Sequence, residues 1–182
     1  MAKRKSKKSF GGVSNICVAL SILMGIAVFV MMFFTNIKET NSDSLIEFKE
    51  LFFGKTTAVG SISTTVTGTV LGFIAYLVVF ISAFFLILSV LVKDAKSRKL
   101  MCFVFGALMI AGGVVILLIP QMYAGMQNVV KTPNVLSGGF TTTKTDKVGT
   151  YALTAMTIVS GILAICGGVL SVFSLIANKL FK

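Results

Sequence analysis

The side chains that most often bind metals are scarce in this sequence. It contains no histidine and three cysteines, Cys17, Cys102 and Cys166, without a C-x-x-C spacing. Zinc and most transition metals are held by sets of His and Cys side chains. We therefore predict no metal site and no bound cofactor. The cysteines are interpreted as small packing residues, and acylation of Cys17 or Cys102 near a membrane interface is the alternative.

The acidic residues do not form a recognisable catalytic set either. Four of the six acids stand in one polar segment: Glu39, Asp43, Glu47 and Glu50. Nucleophilic and acid–base catalysis need a nucleophile beside a base, or a pair of carboxylates in a defined geometry. The spacing of Glu47 and Glu50 fits the polar face of a short helix. We therefore expect no catalytic residues and a protein that is not an enzyme.

Four long uncharged stretches form the elements that must position all other residues of this chain. Residues 10–35, 66–92, 100–127 and 150–177 contain no Asp, Glu, Lys or Arg. A helix needs about 20 apolar residues to cross a hydrocarbon core about 30 Å thick. The sequence thus predicts an all-α integral membrane protein in which residues 1–182 form one domain, a four-transmembrane-helix bundle. The first stretch fits an uncleaved signal anchor better than a signal peptide, because it is long and lacks an A-x-A-like exit.

The basic residues predict the orientation of the bundle. The tail 1–9, the short loop 93–99 and the tail 178–182 carry eleven Lys and Arg, against six in the longer loops 36–65 and 128–149. Cytoplasmic loops are enriched in Lys and Arg. We therefore expect a multi-pass plasma-membrane protein with both termini cytoplasmic and loops 36–65 and 128–149 outside. Anionic lipid headgroups at the basic cytoplasmic rim account for the net charge of +11, so nucleic acid is not a predicted partner.

The first outer loop contains a short amphipathic segment. Residues 45–54 predict an interfacial or extracellular helix, capped by Ser44 in a capping box with Glu47 and ended by Gly54. Two interpretations remain open for this segment: it covers the top of the bundle, or it docks a partner. The candidate partner-binding residues are Phe48, Phe52 and Phe53.

Both outer loops also contain runs rich in threonine. Residues 56–67 are interpreted as the approach to the second span, although their β-branched residues suit a strand. A second run covers residues 141–145. A small extracellular β-ribbon built from both loops is the alternative.

Small residues recur at helical spacing within the spans. Helices in lipid associate through close backbone approach, which small residues permit. The predicted helix-packing residues are Gly68, Gly72, Ala107, Ala111, Ser160, Ala164 and Gly168, and the first span has a similar stripe at Cys17, Ser21 and Gly25. Pro120 predicts a kink near the outer end of the third span.

The absence of ionisable residues from the spans narrows the possible classes of function. Ion-coupled carriers usually place ionisable residues inside their spans, and these spans have none. The leading prediction is a non-enzymatic structural or accessory subunit that associates with a membrane-protein partner, or with further copies of itself, through its helices or its outer face. The alternative is a small oligomeric channel or transporter whose pathway is lined by hydroxyl and backbone groups.

Overall fold

Four helices of the computed structural model are long and apolar enough to cross a membrane, as predicted. The structure describes residues 12–40, 44–92, 94–134, 138–147 and 149–180. The helices are α1 (Gly12–Met32), α2 (Phe48–Phe53), α3 (Val70–Leu91), α4 (Ala95–Leu117), α5 (Ile119–Ala124) and α6 (Ala155–Leu180). The strands are β1 (Ile37–Glu39), β2 (Leu45–Ile46), β3 (Lys55–Val59), β4 (Ile62–Val66), β5 (Gln127–Asn134), β6 (Gly139–Asp146) and β7 (Tyr151–Leu153).

The predicted all-α fold is confirmed only in part: the chain is mostly helical, but the segments between the spans form two antiparallel sheets. Sheet A has the strand order β2-β1-β7, and sheet B has the order β3-β4-β5-β6. Both lie where α1 and α4 end and where α3 and α6 begin. We call the two sheets, together with α2 and α5, the β-cap. The opposite end of the bundle carries the turn between α3 and α4, the start of α1 and the end of α6.

Sheet B corresponds to the alternative interpretation of the threonine-rich runs, a small β-ribbon built from both loops. Strands β3 and β4 form a hairpin with Lys55 opposite Val66, and β4 then pairs with β5 from the other loop. The preferred interpretation of residues 56–67 as the approach to span two was therefore wrong. Threonine is favoured in strands because its branched side chain fits the pleated surface. Gly60 supplies the positive φ of the hairpin turn, at 62°.

The helix boundaries differ from the predicted spans where the β-cap takes residues. Helix α3 begins at Val70 rather than at residue 66, and α6 begins at Ala155 because residues 151–153 pair with β1. At the opposite end, the basic segment is not a loop throughout. Helix α4 starts at Ala95, and the Asp94 carboxylate accepts a hydrogen bond from the Ser97 amide at 2.9 Å. This is an N-cap, which satisfies one amide at the helix start.

Each long helix packs against two others, in the cyclic order α1, α3, α4, α6. The contact between α4 and α6 depends on glycine. A Cβ atom placed on Gly168 would lie 2.5 Å from the Gly106 carbonyl oxygen, and one on Gly113 would lie 2.8 Å from the Gly161 oxygen. Such distances exclude any side chain, so these glycines set the separation of the two helices.

Most of the predicted packing residues lie at helix contacts, but two do not. Ala164 and Ser160 are fully buried on α6, and a Cβ on Gly72 would meet the ring of Phe52 at 2.8 Å. Ala107 and Ala111 are exposed on the outside of α4, which presents Gly106, Gly112 and Gly113 to its neighbours instead. The α4 stripe was thus displaced by about one residue, because α4 is apolar all round and its pattern does not single out one face.

A further predicted packing residue lies outside the helices, since Gly68 is in the connection between β4 and α3. A Cβ on Gly68 would lie 2.5 Å from the Gly54 nitrogen, so this glycine still permits a close approach, though between α2 and the chain that leads into α3.

The predicted kink at Pro120 is a break between two helices. Helix α4 ends at Leu117, Leu118 has φ −89° and ψ 0°, and α5 begins at Ile119 with Pro120 in its first turn. Proline is tolerated there because the first amides of a helix have no intrahelical acceptor. The single span predicted over residues 100–127 is therefore a membrane helix followed by a short helix of the β-cap.

Candidate functional site: the β-cap

A short helix, α2, forms in the predicted segment, but it is shorter than residues 45–54 and begins at a later residue. Leu45 and Ile46 pair with β1, so α2 begins at Phe48. Its N-cap is Glu47, without a side-chain cap, and the Ser44 hydroxyl donates instead to the Glu39 carboxylate at 3.0 Å. The predicted capping box is therefore wrong. The predicted end is confirmed, since Gly54 follows the helix with φ 76°.

The three aromatic residues of α2 lie together against the bundle. Phe52 is fully buried, with its ring centroid 6.1 Å from that of Phe73 and 6.0 Å from that of Tyr76 on α3. Phe48 is half-buried and packs against Phe73 at 6.5 Å. Phe53 is 58% exposed. The structure thus gives Phe52 an anchoring position, whereas Phe53 is the member of this set with the most surface to offer; binding of a partner by these residues stays a prediction.

A polar pocket of about 440 Å³ lies between the two sheets. Its charged and phenolic lining residues are Glu39, Glu50, Lys55, Tyr123, Lys147 and Tyr151. In the same order, they come from β1, α2, β3, α5, the segment that follows β6, and strand β7. The pocket is therefore the junction at which the loops 36–65 and 128–149 meet the ends of the helices.

Lys147 is the central cation of this junction. It is 9% exposed, its Nζ donates to the Thr67 carbonyl oxygen at 2.5 Å, and Nζ lies 3.2 Å from the centroid of the Tyr123 ring. A lysine at that position over an aromatic ring makes a cation–π interaction. Burial lowers the pKa of Lys147 to about 8, and the negative charge of Glu50 acts in the opposite direction. Lys147 thus connects α5 to the segment that leads into α3.

The other charges of the pocket have partners within it. The Lys55 ammonium lies 3.7 Å from the Glu50 carboxylate, and the Glu39 carboxylate accepts from Ser44. The rings of Tyr123 and Tyr151 meet edge to face at 5.0 Å. Among the residues that the structure describes, no group of three or more His, Cys, Asp and Glu could hold a metal ion. Chemically, the arrangement is an ion pair, a carboxylate that accepts a hydroxyl hydrogen bond and a lysine held by a carbonyl and an aromatic ring.

Sequence reasoning did not identify Lys147, Tyr123 or Tyr151 as members of a site. These residues are up to 28 positions apart along the chain, and the carbonyl that Lys147 contacts lies a further 56 positions upstream of Tyr123. Among the features of this site, only the helix break after Leu117 was indicated by a nearby residue in the sequence, Pro120. The pairing of the two threonine-rich loops, which brings the pocket together, has no signal in either loop alone.

Sheet B extends away from this junction. Its base contains Lys55, Val66, Gln127 and Asp146, and its tip contains Val59, Ile62, Asn134 and Phe140. All residues of β3 and of β6 are exposed. At the tip, Val59 is 76% exposed and Phe140 is 69% exposed. Sheet B therefore presents apolar side chains on a largely hydroxyl-bearing surface.

At the opposite end of the bundle, Arg98 is a buried cation. Arg98 of α4 is 8% exposed, and its Nη2 donates to the Asn15 side-chain oxygen of α1 at 2.5 Å. Arg98 therefore joins two helices instead of belonging to an exposed rim, whereas Lys96 and Lys99 are exposed. The predicted basic tail 1–9, Lys93 and Lys182 lie outside the described residues.

Comparison of the chain with known protein families, curated proteins and solved structures finds no match.

Proposed function

We propose that this chain is a plasma-membrane protein, with both termini cytoplasmic, that acts without catalysis as a structural or accessory subunit. It associates with other membrane proteins through the outward-facing β-cap. The observation that carries the proposal is sheet B, a four-stranded sheet whose β3 and β6 residues are all exposed. A strand edge with unpaired amides and carbonyls is a template for pairing with another chain.

The construction of the bundle supports a role for the cap. Gly106 and Gly168 bring α4 and α6 to backbone contact, and a Cβ on Gly25 of α1 would lie 2.5 Å from the Cβ of Ala83 on α3. Helices packed this closely leave little space between them. Transport through one copy would require a water-lined path, so the alternative of a channel requires several copies.

The β-cap is fixed to the bundle by buried contacts, which also supports the proposal. Phe52 anchors α2 on α3, and Lys147 connects α5 to the chain that enters α3. A rigid base positions a binding surface more precisely than a mobile loop does. Phe53, which is exposed beside Phe73 of α3, is suited to the lipid interface or to the flank of a partner.

The test combines partner identification with a flux assay. The protein is purified from its native membrane in mild detergent, the proteins that accompany it are identified, and the purified chain is reconstituted alone. We expect a defined partner that is lost in the tip variant V59S/F140S and retained in the matched control Leu23→Ser, an exposed residue of α1, with no ion or solute flux. Flux from the reconstituted chain, abolished by changing one hydroxyl-bearing residue of a helix, would contradict the proposal.

A further inference from the structure

A connected set of phenylalanine rings lies where α1 ends and α3 begins. The ring centroid of Phe48 lies 5.5 Å from that of Phe33 and 6.1 Å from that of Phe53. The Phe53 centroid lies 5.2 Å from that of Phe73 in α3. Phe33, which directly follows α1, is 55% exposed, and Phe53, the last residue of α2, is 58% exposed. We call these four residues the phenylalanine patch, an apolar surface built by three segments of the chain.

The depth of the patch in the membrane follows from the length of α3. With 22 residues, α3 is about 33 Å long, close to the thickness of a hydrocarbon core of about 30 Å. Its first turn, which contains Phe73, therefore lies at a boundary of that core. Val70 and Ile74, both exposed, lie within one turn of Phe73. They continue the patch into the lipid-facing surface of α3, so the patch lies where the hydrocarbon meets the headgroups.

The other side of α2 is charged. Glu47 and Lys49 are exposed, and they line a surface pocket together with Glu50 and Lys55. The segment is therefore amphipathic, and such a segment lies in the interface plane with its apolar side among the acyl chains. Two acids and two lysines balance each other on this surface, so apolar contact rather than net charge must hold it to the membrane.

The patch is confined to one side of the bundle. Residues 107–117 of α4 and 155–167 of α6, which lie next to the β-cap, include no aromatic residue. The tyrosines of that side, Tyr123 and Tyr151, line the pocket between the two sheets. A protein interface of ordinary size contains about ten hydrogen bonds, whereas the patch offers no side-chain donor or acceptor. Lipid, which contacts the adjoining surface of α3, is therefore the occupant that suits it.

We infer that the phenylalanine patch is seated in the lipid leaflet next to the β-cap and binds phospholipid through apolar contact. Phe33 and Phe53 insert at the boundary between acyl chains and headgroups. Because Gly54 and the first residue of β3, Lys55, directly follow Phe53, this contact fixes the base of sheet B at a constant height above the membrane. The inference goes beyond the proposed function, since it concerns lipid rather than a partner protein and holds for either orientation of the chain.

The first experiment uses the absence of tryptophan from the sequence. Phe53→Trp is reconstituted in phosphatidylcholine vesicles whose acyl chains carry bromine, a contact quencher of tryptophan, either near the headgroup or near the chain end. The matched control is Phe140→Trp, at the exposed tip of sheet B. We expect Phe53→Trp to lose several times more emission than the control, and to lose more with bromine near the headgroup. Ile81→Trp, exposed at the middle of α3, should show the reverse dependence on bromine position.

The second experiment identifies the occupant in the native membrane. A photo-crosslinking analogue of phenylalanine is incorporated at position 53, and we expect lipid adducts there without a discrete protein adduct. A discrete protein adduct would overturn the inference, with a second copy as the occupant at twice the mass of the chain and a partner at any other mass. The same analogue at position 140 reports separately on the proposed function, which expects a protein adduct at the tip.

Quenching of Phe53→Trp no greater than that of Phe140→Trp, in proteins of unchanged thermal stability, would also overturn the inference. Phe33→Trp provides an independent position on the same patch, at the end of α1, and should reproduce the result of Phe53→Trp. It decides the question if replacement within α2 disturbs the fold.

Discussion

The helix bundle and sheet B expose opposite kinds of surface. The outer faces of the bundle carry large apolar side chains, such as Leu23 at 63% and Leu100 at 64% exposure, which suit contact with lipid. Inside, backbones touch through glycine. Sheet B exposes hydroxyls and lysines on β3 and β6, with apolar groups concentrated at its tip. The bundle thus tolerates little change at its contacts, whereas sheet B has side chains that can be replaced without disturbing a core.

The largest effect is expected where the cap is anchored. Phe52→Ala removes a fully buried ring from its contacts with Phe73 and Tyr76, and deletion of a buried Phe side chain costs about 3–5 kcal/mol. Thermal unfolding in detergent should show a large loss of stability. The neighbouring variant Phe53→Ala, at an exposed position, should change stability by less than about 1 kcal/mol. Equal losses would mean that α2 is not anchored by Phe52.

The next largest effect on stability is expected at the contact between α4 and α6. Gly168→Leu forces a side chain against the Gly106 carbonyl oxygen, and overpacking costs about 1–3 kcal/mol or more where the neighbour is backbone. We expect a lower melting temperature and less protein in the membrane. Ala107→Leu is the control, because Ala107 is exposed on the outside of α4. If Ala107→Leu were the more damaging change, α4 would be rotated relative to this structure.

A smaller effect should come from the pH dependence of Lys147. Its pKa in the folded protein is about 8, below the ordinary value of 10.5. Between these values the unfolded chain binds the proton and the folded one does not, so stability rises as pH increases through this window. We expect a gain of roughly 1 kcal/mol between pH 8 and 9.5.

The variant Lys147→Met is the control for this titration, since it keeps an unbranched side chain and cannot titrate. Its stability should lack the rise above pH 8. The window stops at pH 9.5 because burial also raises the pKa of Tyr151, and ionisation of that tyrosine in the unfolded chain opposes the effect at higher pH. A rise of equal size in Lys147→Met would assign it to other groups.

The smallest effect on stability is expected at the tip of sheet B. Phe140 is 69% exposed, so Phe140→Ser should change the free energy of unfolding by no more than about 0.5 kcal/mol. The same variant should weaken association with a partner. Stability is measured by thermal unfolding and association by recovery of the partner. A large loss of stability would show that Phe140 belongs to the packed part of the cap and would remove the contrast with Phe52.

The sequence predicted the bundle well because a membrane span is a local property. Length, apolar composition and the absence of charge are read directly from residues 12–32 or 70–91, and neither needs a distant partner. On α6, Gly168 was among the predicted packing residues, whereas Gly161, which also lies against α4, was not. The face of α4 was not predicted, since Ala107 and Gly106 are adjacent small residues on a helix without a polar side.

The β-cap was harder to predict because its contacts join distant parts of the chain. Strand β4 is stabilised by β5, and Thr64 lies opposite Val130 although the two are far apart in sequence. A threonine-rich run suits a strand, but without its neighbour it equally suits the approach to a helix. Likewise, Lys147 acquires its role only when Thr67 and Tyr123 are brought to it by the fold.

The central claim, that the β-cap faces outward and acts there while the turn between α3 and α4 is cytoplasmic, is tested by labelling in intact cells. Single cysteines are introduced at Thr143 of β6 or at Lys96 of α4, in a variant in which Cys17, Cys102 and Cys166 are replaced by Ala, and a membrane-impermeant thiol reagent is added. We expect labelling at position 143 before lysis and at position 96 only after lysis. Labelling at position 96 but not at position 143 in intact cells would reverse the topology and contradict the proposed function.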